Sequence, residues 1–591
     1  TGYLDARVNR GNVLQDLRRH HEALAEFDRA LALHPRVSML HSLRAGALHD
    51  LNRHADAVAS YRRALQLNPE DPDTLYHYAI VLCELARYGD ALASLDRSLA
   101  LKPDDVKAIN NRIYCLCALR RHEDAAVALA RLLSLAPDWD YAQGDLFYSR
   151  AHCCDWANYG SRARELVQAV GDGRKAVTPF SFLAVTASAT AQRNCAQTYA
   201  ADRYPATATP LWTGASYAHD KIRVAYVSAD FREHPVSHLM AGVLERHDRR
   251  RFEITGFSLR PDDSSAASRR IRAALGNVVD VFGKSDAEAA ALLRDLQIDI
   301  AVDLMGHTFG SRTGIFAHHP AAVQVNYLGF PGTMGAPYMD YLVADPVVVP
   351  PGHQEHYSES IVYLPDCFQA NDNQRSSGAI KPERSAVGLP KSGFVFCCFN
   401  SSYKITPSVF ESWLGLLRAV PGSVLWLFAE HPVVGRNLRE KTRQRGVDPE
   451  RLVFAERLRY ADHLARMQLA DLFLDTLPFN AGTTASDALW TGVPVLTCTG
   501  EAFASRMAAS LLNAVGMPEL VTSNWEDYVR LALELASDST RLAAVKARLA
   551  QSPATCPLFD ADRFCRNIEA AYFAMWERTR RGEPPASFAV R

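Results

Sequence analysis

The sequence predicts an α-helical solenoid followed by two α/β domains, each built on a parallel sheet. Three observations predict it. Pro35, Pro69, Pro103 and Pro137 recur 34 residues apart through the first 137 positions. From about residue 220, short apolar runs alternate with helix-length amphipathic stretches, in one series and then, after a polar interruption, in a second. Finally, the 591 residues are 48% hydrophobic and 22% charged, enough apolar material for three or four packed domains.

The repeats are legible column by column. In phase with the prolines run Ala23, Ala57, Ala91 and Ala125, then Phe27, Tyr61, Leu95 and Leu129, then Leu33, Leu67, Leu101 and Leu135. Gly11, Ala45 and Ala79 form a further small-residue column, which Ile113 breaks. Small residues let helices approach, larger ones fill the gaps, and proline ends each unit. This is the period and pattern of tetratricopeptide repeats, two helices each, over residues 1–137. Residues 138–171 keep helical spacing but lose the signature, which predicts a degenerate fifth unit within a helical connector over 138–220. Such an array offers a concave surface to a protein or peptide and carries no chemistry of its own.

Ile222–Asp230, Phe252–Leu259, Ile298–Met305 and Val323–Gly329 read as buried strands, with helices over 237–245 and 287–296 between them. The polar stretch Asn371–Ser385 reads as a hinge. Phe394–Asn400, Ser423–Glu430, Arg451–Glu456, Asp471–Asp475 and Val493–Thr497 continue the pattern. Residues 221–385 and 386–560 therefore read as two Rossmann-like lobes, whose ligands belong at the carboxyl ends of strands. A last helix, Arg563–Arg578, turns Ile568, Ala571, Tyr572 and Met575 inward, and is expected to pack back across the lobes as a terminal segment, 561–591.

Two strand–loop–helix joints suggest anion chemistry. Gly482-Thr483-Thr484 opens a helix over 485–490, with Thr483 the expected N-cap, so free amides and the helix dipole face an incoming diphosphate. Asp487, one turn in, suits a ribose diol; a plain cap and a dipole-facing acid explain the same residues. In FNSSYKITP, Lys404 precedes Thr406 (N-cap) and Pro407 (N1), where a cation would neutralise a departing diphosphate. Only ten lysines are present, which favours a role for Lys404 over a solvated surface position. His463 stands at a loop-to-helix joint and is either a base-stacking ring or a structural histidine. No GxGxxG fingerprint of a dinucleotide site occurs.

Other classes are disfavoured. A formal net charge of −1 gives no field to gather nucleic acid or an acidic membrane, and no apolar run reaches the length of a membrane span. The twelve cysteines lack CxxC spacing, as expected of reduced thiols in a cytoplasmic protein. Position 1 is Thr rather than Met, without a signal-peptide pattern, the expectation for a chain cut from a longer one. No feature sets an oligomeric state.

CFNSSYKITP, ADHLARMQLADLFLDT, GTTASDALWTGVPVLT and the PGT of YLGFPGTMGAP closely resemble the O-linked N-acetylglucosamine transferases, glycosyltransferase family 41. So does the layout, a tetratricopeptide array before a two-lobed GT-B region, and the chain looks like a bacterial member. The resemblance implies that Lys404 holds the β-phosphate, with Tyr403 beside it, and that the amides of Thr483 and Thr484, after Gly482, hold the diphosphate. Asp487 would take the ribose, His463 the uridine, and the backbone at Leu458 and Arg459 the uracil edge. YVSADFREHPVSH aligns His234 with the histidine proposed as general base, with Asp303 and His307 of VDLMGHT as candidate partners. Pro331, Gly332 and Thr333 join the substrate-binding set.

This chain departs from the family at Tyr460, often a lysine, and at Gly482, a histidine; both bear on donor choice. Of the asparagine ladder lining the family's array, Asn9 and Asn111 remain, while Leu43 and His77 do not.

The expected activity is an inverting transfer of N-acetylglucosamine from UDP to protein serine or threonine, with no metal or other cofactor. Asp71-Pro72-Asp73 lies between repeats and Asp560-Ala561-Asp562 opens the terminal helix, so neither of these DxD sequences suits a metal site. The alternatives are the same fold using another sugar nucleotide, such as GDP-fucose, and a non-catalytic scaffold, which the retained Lys404, Asp487 and threonine pair disfavour.

Overall fold

The computed structural model describes residues 2–215, 217, 219–376, 381–552 and 555–591. It divides into two compact units at Ser149/Arg150.

In the first unit every repeat is a pair of helices: Gly2–Asp16 with His20–Leu33, Ser38–Asp50 with His54–Leu67, Pro72–Glu84 with Tyr88–Leu101, and Val106–Ala118 with His122–Leu135. The alanine column is completely buried, and Phe27, Tyr61, Leu95 and Leu129 pack beside it. A methyl group at Gly11 would lie 2.4 Å from Phe27 Cε1, so the large ring opposite demands the glycine. The leucine column behaves differently: Leu33, Leu101 and Leu135 end their helices largely exposed.

The turn inside each repeat is also periodic. Arg18, Asn52, Ala86 and Arg120 all adopt φ of 57–59°. The next amide reaches back to the last turn (Arg19 to the Leu14 carbonyl, Arg53 to Leu48, Arg87 to Leu82, Arg121 to Leu116) at 2.8–2.9 Å. This is a Schellman closure made four times without glycine, which satisfies carbonyls a helix end would otherwise leave open. The degenerate fifth unit consists of the helices Ala142–His152 and Tyr159–Gly171.

The second unit contains two parallel sheets. The strands are β1 (Ile222–Ser228), β2 (Phe252–Ser258), β3 (Asn277–Asp280), β4 (Ile300–Asp303), β5 (Val323–Asn326), β6 (Tyr341–Ala344) and β7 (Ser360–Tyr363), then β8 (Val395–Cys398), β9 (Val424–Phe428), β10 (Leu452–Ala455), β11 (Leu472–Leu474), β12 (Val495–Cys498), β13 (Val521–Thr522) and β14 (Phe588–Ala589). The orders are β14-β7-β6-β5-β4-β1-β2-β3 and β10-β9-β8-β11-β12-β13. Each places its first strand beside its fourth, and therefore repeats the doubly wound order with its switch point.

Two expectations change here. The terminal helix, Ala561–Arg580, buries the four predicted residues in the core of the first lobe, with Tyr572 Oη 3.1 Å from Tyr226 Oη. It then delivers β14 to the edge of β7, so it completes the first lobe rather than lying across both. The supposed hinge is largely structured: Asn371, Asp372 and Arg375 are buried, while residues 377–380 lie outside the described residues.

Candidate active site

The two switch points, between β1 and β4 and between β8 and β11, position most of the predicted residues. After β8 the chain passes through Asn400 and a short 3-10 turn, Ser402–Lys404, into the helix Pro407–Ala419. Thr406 caps that helix through the Val409 amide and Pro407 holds N1, as expected. The Lys404 ammonium donates to the Asn480 carbonyl at 2.8 Å and sits 3.6 Å from the Phe479 ring centroid. Loss of water around this half-buried group pulls its pKa down to about 8, against the attraction of Asp475. Tyr403 is buried among His152, Phe180 and Phe479, a wall beneath the lysine.

Asp475, at the end of β11, organises the opposite loop. Its Oδ1 accepts from the amides of Thr476 and Ala481 at 2.8 and 2.7 Å and from Asn400 Nδ2 at 3.3 Å; its Oδ2 accepts from Thr497 Oγ1 at 2.6 Å. Burial still raises its pKa to about 6. This loop leads into the helix Thr483–Trp490.

The cap of that helix differs from expectation. Gly482 is the N-cap and Thr483 already the first helical residue, so no side chain closes the helix start. A methyl group at Gly482 would lie 2.5 Å from Met507 Cε, so that methionine occupies the space a side chain would need. Thr484 Oγ1 donates instead to Asn400 Oδ1, tying the two joints together. Among the described residues nothing accepts from the amides of Thr483 or Thr484, which leaves an uncapped positive helix end.

Asp487 is buried and already partnered: Arg375 Nη1 donates to its Oδ1 at 3.0 Å and Tyr460 Oη at 2.7 Å. Tyr460 also stacks on His238 of the first lobe, with centroids 4.1 Å apart and planes at 16°. His463 Nδ1 accepts from Arg466 Nε at 3.2 Å and its ring stands edge-on to Phe399; burial lowers its pKa to about 4, so it is neutral. Leu458 and Arg459 are exposed on the loop before that helix.

In the first lobe, His234 caps the helix Pro235–Arg246, its Nδ1 lying 3.3 Å from the Val236 amide and 3.4 Å from Asp230 Oδ2. The carboxylate beside it is therefore Asp230, which also accepts from Arg232. Asp303 pairs with Val227 across the β1–β4 register and spends Oδ1 on the Met305 amide; desolvation lifts its pKa to about 6. His307 is buried between Tyr199 and Phe330, with Nε2 2.8 Å from the Met334 carbonyl and its pKa lowered to about 4. Pro331, Gly332 and Thr333 are buried in the loop after β5, where Thr333 Oγ1 donates to Glu359 at 2.6 Å.

The model of glycosyl transferase family 41 matches residues 153–380 and 370–568, both lobes and their connector. The chain belongs to this family. Tetratricopeptide models match residues 8–72 and 48–110. Among curated relatives of this family 41 chain, a probable UDP-N-acetylglucosamine–peptide N-acetylglucosaminyltransferase of Arabidopsis thaliana is 38% identical over 377 residues, 63% of this chain and 38% of its own length. A Caenorhabditis elegans protein named for the same activity is 28% identical over 558 residues, covering 73% and 48%. The chain thus spans less than half the length of these two relatives. A solved structure of a mutant O-GlcNAc transferase from Thermobaculum terrenum superimposes with a TM-score of 0.69 at 30% identity, over 92% of this chain and 98% of that one.

Three groups at this family 41 site escaped sequence reasoning. Arg375 lay in the supposed hinge, Asp230 looked like a strand terminus, and Asp475 looked like the end of an apolar run. Only the ADFREH spacing, which puts Asp230 four residues before His234, was a usable signal.

Proposed function

We propose that the protein transfers N-acetylglucosamine from UDP-N-acetylglucosamine to serine or threonine hydroxyls of proteins, with inversion and without a metal. The observation that carries this reading is the Lys404 ammonium, bound to the carbonyl three residues ahead of the uncapped Thr483–Thr484 amides. One cation reaching across from the β8 joint and two free amides at the β11 loop suit a diphosphate whose charge grows as it leaves. His463 and the loop at Leu458–Arg459 flank the nucleoside side, and Asp487, fixed by Arg375, faces the ribose.

In the reaction the acceptor oxygen forms a bond to the anomeric carbon as the bond to the β-phosphate oxygen breaks, and UDP departs with the electron pair. The hydroxyl proton passes to His234. Asp230, 3.4 Å from His234 Nδ1, stabilises the imidazolium that forms, while Lys404 and the helix start take the charge on the far side. Of the three DxD sequences, two serve as helix caps, Asp71 for Pro72–Glu84 and Asp560 for Ala561–Arg580, and Asp138-Trp139-Asp140 lies between two helices of the array, which suits a mechanism that recruits no metal through them. We place the enzyme in the cytoplasm, where its twelve free thiols stay reduced. The tetratricopeptide array is assigned to the protein acceptor.

Intact-mass analysis of candidate acceptor proteins incubated with UDP-N-acetylglucosamine tests the activity, and calorimetry with a panel of sugar nucleotides tests the donor. Substitution of His234 by Ala should leave UDP affinity within about twofold while transfer falls by about 10²–10⁴; equal losses of both would remove His234 from the acceptor side. UDP affinity should also depend on pH. Lys404 in the free protein loses its proton near pH 8, and a bound diphosphate favours the charged form, so binding above pH 8 takes up a proton. The Kd for UDP should therefore rise toward about tenfold per pH unit above pH 8, and a flat calorimetric profile to pH 9.5 would contradict the assignment.

A further inference from the structure

The repeat array carries a polar rung that recurs with its period. In the first rung, Gln15 Nε2 donates to Asp50 Oδ2 at 3.3 Å and His20 Nδ1 lies 3.2 Å from the same oxygen. Thirty-four residues on, the equivalent positions are His49, His54 and Glu84. His49 Nε2 is 2.7 Å and His54 Nδ1 3.4 Å from Glu84 Oε2. In the third rung the positions are Cys83, Tyr88 and Ala118, and the carboxylate is gone. The middle rung alone thus combines two imidazoles and a carboxylate, because a histidine replaces the glutamine.

We infer that His49, His54 and Glu84 form a binding site for a divalent transition-metal ion of the zinc class, which cross-links the second and third repeats. One ligand atom from each residue lies within 4.8 Å of the others. Metal–nitrogen and metal–oxygen bonds of about 2.0–2.2 Å put tetrahedral ligand atoms roughly 3.3 Å apart, so the present 2.7 and 3.4 Å separations need only side-chain adjustment. His54 Nδ1 is shielded from water yet makes no hydrogen bond, and so has a lone pair or proton without use. The site is reachable: the side chains of His49 and Glu84 are 27% and 43% exposed. Two imidazoles with one carboxylate select zinc, copper or nickel over magnesium or calcium, and leave a fourth position for water.

The other three-residue cluster, His247, Cys565 and Glu569, is fully buried, and its members bond one another and Tyr226. No ring or carboxylate atom of it stands among the buried groups that lack a hydrogen bond.

The test uses the full chain with Zn²⁺ followed by calorimetry, and Co²⁺ followed by its visible absorption. The wild-type protein should bind one equivalent that H49Q and H54A weaken at least tenfold. H49Q copies the residue of the first rung, where a glutamine makes the same contact to a carboxylate, so its fold is kept. Zn²⁺ should raise the melting temperature of the wild type and leave that of H49Q unmoved. Equal affinity in wild type and H49Q, or a near-ultraviolet thiolate band that assigns the Co²⁺ to cysteine, would overturn the site.

Discussion

Substitution of Lys404 by Met should lower the transfer rate about a thousandfold, ~4 kcal/mol of transition-state stabilisation, with the fold intact. The methionine stem still covers Phe479, and a partly desolvated cation is removed rather than stranded, so melting should move little. What is lost is the ammonium bound to the Asn480 carbonyl, on the loop that runs into the uncapped helix. The charge on the diphosphate is greatest as it leaves, so the loss should be larger on kcat than on UDP affinity, which also falls because the bound diphosphate favours charged Lys404. Single-turnover transfer together with calorimetric UDP binding separates these. A variant that keeps a tenth of the wild-type rate would exclude Lys404 from leaving-group stabilisation.

Replacement of Arg375 by Ala should destabilise the second unit by about 3–5 kcal/mol and abolish nucleotide binding. Arg375 and Asp487 form an ion pair whose side chains are 1% and 4% exposed. Removal of one partner leaves the other charge buried without compensation, which costs far more than the net worth of the pair. Arg375 also donates to the Asp372 carbonyl and to Asn371 Oδ1, and its guanidinium lies 5.7 Å from the ring centroids of both Trp490 and Phe559. Lysine cannot reproduce that planar fork, so R375K should rescue little. The D487N variant, which removes the charge but keeps the shape, should be milder in urea unfolding than R375A. The reverse order would mean that the pair is not what holds Asp487 in place.

The repeats were legible because their constraint is local and periodic. An alanine column at a fixed phase has one reading, and its burial follows. The glycine-free turns at Arg18, Asn52, Ala86 and Arg120 were not legible: those residue types carry no left-handed preference, and the helix packing on either side imposes it. Among the strands, β1, β2, β4, β5 and β8 to β12 were legible as short apolar runs set against helix-length stretches. β3, β6, β7, β13 and β14 were not: β13 and β14 are two residues long, β3 is partly exposed, and β6 and β7 follow connections without an α-helix. The Lys404 and Thr483–Thr484 joints were visible because each is a strand, a turn and a helix in one continuous stretch. Thr483 was nevertheless placed one position early, since sequence cannot tell a capping threonine from a first helical one when a glycine stands before it.

By itself the sequence determined the solenoid, the two doubly wound lobes, and the joints that can hold a diphosphate, because each is encoded within some thirty contiguous residues. Only the tertiary structure decided which side chains meet: that Arg375 locks Asp487, that Tyr460 stacks on His238, and that the last helix completes the first lobe. Those pairings join residues on separate elements, up to about 350 positions apart for Tyr226 and Tyr572. Their choice depends on which polar groups are left together when water is expelled, a condition that no local pattern records.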